Sequence, residues 1–299
     1  MCGIAGLFLK TPSLEAQLGS MMSGMLAVLS ERGPDSAGFA IYGSGTRDLV
    51  KLTLRLLPVP DIEAAVISAA RTLDLKIPSF HANHAVISVP QGRLQAVKDF
   101  IRESTILQGT EIVGSGTRME LYKDVGLPAA VAKRFGLEHM SGTHAIGHTR
   151  MATESAVTTK GAHPFSTGLD QCLVHNGSLS NHNGVRRGLQ REGLSFETDN
   201  DSEVAAGYLT WRIREGASLE DALKLSLKDL DGFYTFVVAT ESGFAVLRDP
   251  VACKPALVAE TEHYVAFGTE YRALANLPGI AAAKVFEPEP ATVYAWKRN

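Results

Sequence analysis

A series of short apolar runs, each closed by glycine, asparagine, aspartate or threonine, constrains the fold of this chain more than any other feature of its sequence. Runs of this length and composition are typical of β-strands that end in turns. CGIAGLFL and AGFAIYG near the N-terminus are of this kind, and the later ones are HAIGHTRMAT, QCLVHNGSL, GFYTFVVAT, GFAVLRD, PALVAET and HYVAFGT. Because few helices lie among them, we predict an α+β fold of stacked antiparallel sheets flanked by helices.

Helical spacing of apolar residues predicts helices at four places outside the central part of the chain. The first is capped by Ser13 and ends before Gly33 and Pro34, which break helices. The others are GLPAAVAKRFGL, the segment after Asp199 and Asp201, and residues 218–227.

Residues 47–112 predict an inserted unit with its own elements. DLVKLTLRLL and HAVISV are strand-like, whereas DIEAAVISAARTLDL, with Asp61 as its cap, and GRLQAVKDFIRES are helical. Strand and helix alternate through this segment, so we expect a small α+β subdomain. It contains no motif that indicates its role.

Composition excludes several classes of protein. The 299 residues carry a net charge of -3, which gives no reason to expect binding to nucleic acid or to an acidic membrane surface. Apolar runs are too short for a membrane-spanning helix, and the N-terminus lacks the pattern of a signal peptide. Cys2, Cys172 and Cys253 form no C-x-x-C pair, so neither a zinc site nor a disulfide framework is indicated. We expect a cytoplasmic protein with reduced thiols and without a metal or other cofactor.

Cys2 follows the initiator methionine, and a small residue at this position generally allows the removal of Met1. The mature chain then carries a thiol and a free α-amine on one residue, with ordinary pKa values of about 8.5 and 7.7–8.0. The amine can deprotonate the thiol directly or through one water molecule, so no separate histidine is required. Taken alone, a cysteine here is more often a small apolar residue that enters a strand, and the rest of the sequence decides.

Cleavage of an amide also requires an oxyanion hole and groups that bind the substrate. Asn176 and Gly177 follow a strand, and together they offer a side-chain amide and a backbone N–H at a residue that allows close approach. Arg150 can grip a carboxylate with its bidentate fork. Asp201 can hold an ammonium group, and the RGPDS turn at 32–36 can fold over a substrate.

Each of these residues also has a structural alternative. Asn-Gly is the commonest tight-turn dipeptide. Arg150 could form a structural ion pair, and Asp201 is a good helix N-cap in any protein. His163, which precedes Pro164, is more often a packed or surface histidine than a catalytic one.

The order of these motifs resembles that of the class II glutamine amidotransferases, which belong to the N-terminal-nucleophile hydrolases. The matching stretches are MCGIAGLF, ERGPDSAG, AIGHTRMAT, AHPF, LVHNGSL, DNDSEV and VLRDPVACKPALV. They run in the family's order from residue 2 to about residue 275 and leave out only the insert. The resemblance implies a domain over residues 2–299 with the fold of that family, a four-layer αββα sandwich of two antiparallel sheets between helices.

The resemblance also implies a role for each matching position. Cys2 is the nucleophile and its α-amine the base, while Asn176 and Gly177 form the oxyanion hole. Arg150 binds the α-carboxylate of L-glutamine and Asp201 binds its amine. The other implied positions belong to the loop that closes over glutamine, to the Arg150 loop and to supporting histidines; they are Arg32, Gly33, Thr153, His163 and His175.

Two stretches depart from the family pattern. Glu154 stands where many members have histidine after the loop threonine. In RDPVACKPAL, Ala252, Cys253 and Lys254 replace the usual glycine and arginine. We interpret both departures as lying outside the core constellation, so the prediction of glutaminase activity stands, and as evidence against the best-known biosynthetic members.

The fate of the ammonia is the last question that the sequence raises. PATVYAWKRN leaves no room for the synthase domain that follows in many relatives. Free ammonia would be protonated and lost, so we predict a partner synthase subunit, as in glutamate-synthase-like complexes or N-methylglutamate synthase. The insert is a candidate docking surface, with surface decoration as the alternative. Two other hypotheses are a stand-alone hydrolase of a γ-glutamyl compound and a catalytically silent structural subunit.

Overall fold

The computed structural model describes residues 2–152 and 156–298. None of the helices in these two ranges is both long and apolar enough to cross a membrane. The strands there are β1 (Gly3–Leu9), β2 (Ser36–Tyr42), β3 (Leu49–Arg55), β4 (Ser79–His81), β5 (His84–Pro90), β6 (Glu111–Gly116), β7 (Met119–Val125), β8 (His144–Arg150), β9 (Phe165–Gly168), β10 (Gln171–Leu179), β11 (Gly232–Thr240), β12 (Gly243–Arg248), β13 (Leu257–Glu260), β14 (Tyr264–Gly268), β15 (Lys284–Phe286) and β16 (Val293–Lys297). The α-helices are α1 (Leu18–Val28), α2 (Ile62–Thr72), α3 (Leu94–Glu103), α4 (Pro128–Phe135), α5 (His182–Arg191), α6 (Asp201–Arg214) and α7 (Leu219–Asp229).

Two antiparallel sheets form the centre of the molecule. Among the described residues, the first sheet has seven strands in the order β15-β13-β14-β1-β8-β2-β7. The second has five strands in the order β16-β12-β11-β10-β9. Every strand that the sequence predicted outside the insert lies in one of these sheets, so the prediction of stacked antiparallel sheets is confirmed.

Alternating side chains of β1 show how the layers are arranged. Leu7 and Leu9 pack into one buried cluster with α1 and with Phe135 of α4. Ile4 and Phe8 join a different cluster that contains Val237 of the second sheet. Because successive side chains of a strand point to opposite faces, β1 has helices on one side and the second sheet on the other.

The second sheet has the complementary arrangement. Phe236 and Val238 of β11 pack against Val204 of α6 and Leu223 of α7. Val237, which lies between them, faces the first sheet. The layers therefore follow the order helices, sheet, sheet, helices, and this confirms the predicted αββα sandwich.

The insert forms a third sheet, with four strands in the order β4-β5-β3-β6 among the described residues. Helices α2 and α3 cover it, and Val66 and Val97 pack there against Leu52 and Ile87. The sequence predicted β3, β5, α2 and α3 but missed β4 and β6. Strand β6 continues the sheet to residue 116, so the predicted end at residue 112 falls inside it; the division of the chain into two domains stays a prediction.

A buried carboxylate ties the insert to the sandwich. Asp170, in the turn between β9 and β10, accepts hydrogen bonds from the backbone N–H groups of Thr117, Arg118 and Met119 at 2.7, 3.0 and 3.1 Å. These three residues form the turn from β6 to β7. Lys51 of β3 adds an ion pair with Glu120 at 2.7 Å. The orientation of the insert against the sandwich is therefore held by specific polar contacts.

Two predicted helix caps are wrong. The hydroxyl of Ser13 lies 3.0 Å from that of Thr11 inside a 3₁₀ turn, and α1 begins only afterwards, at Leu18. Asp61 does precede α2, but its φ of 59° is left-handed, unlike the extended backbone of an N-cap, and its side chain caps nothing. Ser218, in contrast, does accept a hydrogen bond from Asp221 N at 3.1 Å. Helix α5 and strands β7, β9, β15 and β16 were not predicted.

Elements from both sheets meet at one end of the stack. Gly3 of β1 lies opposite Thr149 of β8, which brings Cys2 next to Arg150. Strand β10 of the second sheet carries Asn176 and Gly177 to the same end, and α6 begins there at residue 201.

Candidate active site

Cys2 lies half-buried just before β1, and its main chain is held from two sides. Its carbonyl oxygen accepts hydrogen bonds from Arg32 Nε at 3.2 Å and from Asn176 Nδ2 at 3.3 Å. Its Sγ lies 3.8 Å from the carbonyl oxygen of Met151, a distance that suits a weak S–H donor. The thiol is therefore positioned by backbone contacts and remains partly accessible to solvent.

The thiol opens into a cavity of about 250 Å³. Seven of the ten residues that the sequence indicated line this cavity: Cys2, Arg150, His163, His175, Asn176, Gly177 and Asp201. The other lining residues were not predicted as site residues, and they are Met151, Ala152, Asn200, Ser202 and Lys254. Thr153 lies outside the described residues, as does Glu154.

Asn176 and Gly177 lie within strand β10 and pair with Thr235 and Tyr234 of β11. The alternative interpretation of Asn-Gly as a tight turn is therefore wrong. Gly177 has φ 150°, and a Cβ atom built there would lie 2.0 Å from the carbonyl oxygen of Phe233. Only glycine fits this close approach of two strands, which explains why the strand contains it.

Arg32 and Gly33 lie behind the thiol and do not line the cavity. A Cβ atom on Gly33 would lie 2.4 Å from the carbonyl oxygen of Thr149 and 2.5 Å from Arg150 N, so glycine allows this turn to pack directly on β8. Arg32 forms an ion pair with Glu270, which also pairs with Arg272 at 2.5 Å. The predicted closure of this turn over a substrate stays a prediction.

Asp201 begins α6, as the sequence indicated, but it is not the helix cap. Asn200 is the cap, since its side-chain oxygen accepts a hydrogen bond from Ser202 N at 2.8 Å. Asp201 Oδ2 accepts a hydrogen bond from Leu179 N at 2.9 Å, and Oδ1 lies 3.8 Å from His175 Nδ1. The carboxylate is thus fixed at the cavity wall, where it lies near the positive end of the helix dipole.

Two buried histidines contact Ser202 in the cavity wall, and a third stacks on one of them. Ser202 Oγ lies 2.9 Å from both His163 Nε2 and His175 Nδ1. His148 stacks on His163 with ring centroids 4.0 Å apart, and its Nε2 donates to the carbonyl oxygen of His175 at 3.1 Å. Since the serine hydroxyl has one proton, at least one of its two histidine neighbours must donate to it. His163 is thus a packed histidine, as the structural alternative held, and it also lines the cavity.

Burial sets the protonation state of these histidines. It lowers the pKa of His148 to about 3 and holds that of His163 well below its ordinary value, with the charges of neighbouring histidines acting in the same direction. Burial also lowers the pKa of His175, although Asp201 opposes the shift. All three rings are therefore neutral at neutral pH, and His163 and His175 orient Ser202 by hydrogen bonding rather than by charge.

The position of Lys254 contradicts the interpretation that the second departure from the family pattern, in RDPVACKPAL, lies outside the core constellation. Its ammonium group lies 5.0 Å from the ring centroid of Phe233, and the residue lines the same cavity as Cys2. This departure therefore does reach the constellation. The lysine keeps a positive charge at a position where the pattern has arginine.

No group of three or more His, Cys, Asp or Glu side chains with the geometry of a metal site occurs in residues 2–152 and 156–298.

Comparisons with known proteins agree with this geometry. A family model described as a glutamine amidotransferase domain matches residues 148–276. The glutamine amidotransferase-like protein GlxB of Rhizobium meliloti (strain 1021) is 56% identical over 300 residues, which cover 99% of this chain and 98% of GlxB. A putative glutamine amidotransferase of Methanothermobacter thermautotrophicus (strain Delta H) is 32% identical over 98% of this chain and 99% of its own length.

Two solved structures share the fold. One is described as the allosteric regulatory enzyme of purine biosynthesis, with a TM-score of 0.64 and 20% identity over 99% of this chain. The other is the glutamine phosphoribosylpyrophosphate amidotransferase from B. subtilis, with a TM-score of 0.61 and 19% identity over the same share. This chain spans 47% and 49% of their lengths, so it matches about half of each.

Because several histidines are buried, we expect the free energy of unfolding to decrease as the pH falls below about 6.5. Burial lowers the pKa of His84 and of His144 to about 3, as it does for His148. Between pH 6.5 and 3 the unfolded chain binds a proton at each of these sites, whereas the folded chain does not. Each histidine should therefore remove about 2 kcal/mol from the free energy of unfolding between pH 7 and pH 5.

Urea unfolding at a series of pH values measures this loss. His144→Gln should reduce the slope of stability against pH, because one proton-linked site is removed. His139→Gln is the matched control, since His139 is exposed, and it should leave the slope unchanged. A free energy of unfolding that stays level between pH 7 and pH 5 would contradict the prediction.

Proposed function

This chain belongs to the class II glutamine amidotransferases, and from that premise we propose that it hydrolyses L-glutamine to L-glutamate and ammonia with Cys2 as the nucleophile. The observation that carries the proposal is the convergence of Cys2, Asn176, Gly177, Arg150 and Asp201 on one cavity of about 250 Å³. These five residues come from two sheets and a helix, and they supply every group that the reaction requires.

The proposed reaction begins after the removal of Met1, when the α-amine of Cys2 accepts the proton of its own thiol. The thiolate adds to the side-chain carbonyl carbon of glutamine, and the amide oxygen becomes an oxyanion. Expulsion of the amide nitrogen, with the proton held by the amine, releases ammonia and leaves a γ-glutamyl thioester on Cys2. A water molecule then adds to the thioester, glutamate leaves, and the thiol is restored.

Asn176 and Gly177 are proposed to stabilise the oxyanion. Asn176 Nδ2 already lies 3.3 Å from the carbonyl oxygen of Cys2, so its amide is at the reacting residue before substrate arrives. The amide group has two N–H donors. One can therefore hold the Cys2 main chain while the other, together with Gly177 N–H, donates to the developing charge.

The charged cavity residues are proposed to bind the two α groups of glutamine. Arg150, which is 6% exposed, can form a bidentate pair with the α-carboxylate. Asp201 can hold the α-ammonium group, and its carboxylate is already fixed by Leu179 N. We further propose that Arg32 and Gly33 position Cys2, that Thr153 belongs to the substrate loop, and that His163 and His175 support Asp201 through Ser202.

Selective labelling tests the nucleophile. The glutamine-analogue electrophile diazo-oxo-norleucine should label Cys2 and not Cys172, whose pKa burial raises to about 12, nor Cys253. Cys2→Ala should abolish glutamine hydrolysis and leave the fold intact, while Cys253→Ala, at an exposed position, should keep both. Intact mass spectrometry reports the removal of Met1 and the number of labels, and comparison with Cys2→Ala assigns the label to its site. Release of ammonia by a chain that retains Met1 would overturn the mechanism.

Replacement of Asn176 tests the oxyanion hole. Asn176→Ala removes one donor from the developing charge, so kcat for glutamine hydrolysis should fall roughly 10²–10³-fold with a smaller change in KM. Asn181→Ala is the control, because its side chain bonds Asp229 O and Asp231 N outside the cavity. A decrease in kcat no larger than that of the control would exclude Asn176 from this role.

We also propose that the ammonia passes to a partner synthase subunit, of the glutamate-synthase-like or N-methylglutamate synthase kind, in a reducing compartment such as the cytoplasm. Ammonia in bulk water is protonated and loses its nucleophilicity, so a covered cavity mouth favours transfer.

Exposed apolar side chains lie at and near this mouth. Met151 lines the cavity and is 44% exposed, Phe233 contacts Lys254 and is 40% exposed, and Val251 in the Lys254 loop is 71% exposed. Such side chains suit a surface that is covered in a complex.

Two matched substitutions test where a partner docks. Val251→Asp should abolish co-purification of a synthase subunit from the native host and the rise in glutaminase activity that accompanies its binding. Ile77→Asp, at an equally exposed apolar position of the insert (66%), should preserve both. Loss with Ile77→Asp alone would place docking on the insert. An active chain that co-purifies with no synthase would instead support a stand-alone hydrolase, and an inactive chain that binds one would support a silent subunit.

A further inference from the structure

A second cavity, of about 320 Å³, lies between the insert and the sandwich. We call it the basic cavity. Helix α3 and strand β6 form its wall on the insert side, and β7, β9, α6 and the 193–198 loop form the opposite wall. It is a separate cavity that shares no lining residue with the active-site cavity among the described residues.

Positive charge dominates the basic cavity. Among the described residues, five basic side chains line it, namely Lys98, Arg102, Lys123, Lys160 and Arg214, against three carboxylates. Two of the carboxylates are already engaged elsewhere. Glu111 pairs with Arg55 at 2.9 Å, and Glu203 accepts hydrogen bonds from Glu197 N, Thr198 N and Thr198 Oγ1 at 2.8, 2.8 and 2.6 Å. Of these three carboxylates, Glu197 pairs with a lining cation, Lys160, at 3.5 Å. Arg102 and Arg214 pair instead with Asp99 and Glu215, at 3.8 and 3.3 Å, and neither of these carboxylates lines the cavity.

Lys123 is the most unusual group in this wall, since it is only 5% exposed. Its ammonium group donates to the carbonyl oxygens of Ala162, Lys160 and Pro164 at 2.9, 3.3 and 3.4 Å. None of the ion pairs within 4 Å that the described residues form includes it. Burial makes the charge of this group costly and lowers its pKa to about 8, although the carboxylates of Glu203, Glu111 and Glu197 oppose the shift. An anion in the cavity would remove that cost.

Lys98 and Arg102 complete the constellation from the other side. They lie on successive turns of α3, four residues apart, and therefore project on the same face. Lys98 Nζ donates a hydrogen bond to Ser115 Oγ at 3.3 Å, and both residues line the cavity. The guanidinium group of an arginine beside two ammonium groups can bind several oxygens of a tetrahedral, doubly charged phosphate. This arrangement suits a phosphate better than it suits a single planar carboxylate.

We propose that the basic cavity binds a phosphate group, either free phosphate or the phosphate of a small metabolite, between Lys98 and Arg102 of the insert and Lys123 of the sandwich. The volume lies at the lower end of the range for small-molecule sites, and it accommodates a phosphate with a small organic group. The insert thereby acquires a role, because it supplies two of the three ligands.

A phosphate bound in the basic cavity would change glutamine binding in the active-site cavity. This part of the proposal rests on the proposed glutaminase function. The three carbonyl groups that Lys123 holds flank His163, which contacts Ser202 and lines the active-site cavity. Glu203 of the basic cavity follows Ser202 directly in α6. A phosphate that draws Lys123 towards itself would loosen the segment 160–164 and so change the KM for glutamine.

Isothermal titration calorimetry with the full chain tests the binding itself and requires no catalysis. Inorganic phosphate, glucose 6-phosphate and glucose are the three probes. The first two should bind and glucose should not. Tighter binding of glucose 6-phosphate identifies a metabolite as the ligand, and equal or tighter binding of inorganic phosphate identifies free phosphate. The absence of heat from both phosphates at millimolar concentration, or equal binding of glucose, overturns the proposal.

The double variant Lys98→Met with Arg102→Met removes two ligands from a partly exposed helix face, so it should fold. Its phosphate affinity should fall roughly tenfold or more, as expected when charge-assisted hydrogen bonds are lost. Lys76→Met, at an exposed lysine of the insert that does not line the cavity, is the control and should bind normally. Unchanged binding by the double variant overturns the site. Lys123→Met, checked by circular dichroism, tests the buried ligand separately.

The coupling has its own readout. Phosphate should shift the KM for glutamine of the wild-type chain and of Lys76→Met, but not that of the double variant. Binding by calorimetry without any shift overturns the coupling and leaves the site. A chain that binds phosphate but hydrolyses no glutamine overturns the proposed function and not the phosphate site.

Discussion

The face-to-face packing of the two sheets is the constraint on which the active-site cavity depends. Cys2 and Arg150 come from the first sheet, and Asn176 and Gly177 come from the second. One hydrogen bond joins them directly, from Asn176 Nδ2 to the carbonyl oxygen of Cys2. The apolar cluster between the sheets, which includes Ile4, Phe8 and Val237, sets the distance that this bond spans. A change in core volume would therefore be transmitted to Cys2.

Much of the fold could be predicted because its determinants are local. Short apolar runs closed by turn residues predicted most strands of the two main sheets, although not β7, β9, β15 or β16. The resemblance carried by the order of the motifs implied the αββα layers. The caps at Ser13 and Asp61 were wrong because a cap depends on backbone angles, which residue type alone does not decide. The short strands β4, β9 and β15 escaped prediction because three or four residues carry too little periodicity.

In the candidate site, too, some residues could be predicted from the sequence and others could not. Motifs with residue-specific chemistry indicated the residues that the structure brings together around Cys2. Ser202 and Lys254 escaped because their positions follow from packing between distant segments. The sequence shows Lys254 only as a departure from a pattern, and nothing local places it beside Phe233 or on the cavity wall. Likewise, the charges of the basic cavity are scattered from residue 98 to residue 214, and only the docking of the insert gathers them.

The central place of β1 in its sheet has a consequence for biosynthesis. Ile4 N donates to Thr269 Oγ1 at 2.8 Å across 265 positions of the chain, and β14 supplies one whole edge of pairing for β1. Strand β1 is therefore synthesised long before β14 and lacks one of its two neighbours until β14 has followed it. Until then its apolar residues remain partly uncovered, so the residue that precedes this strand, Cys2, reaches its final position only late in folding.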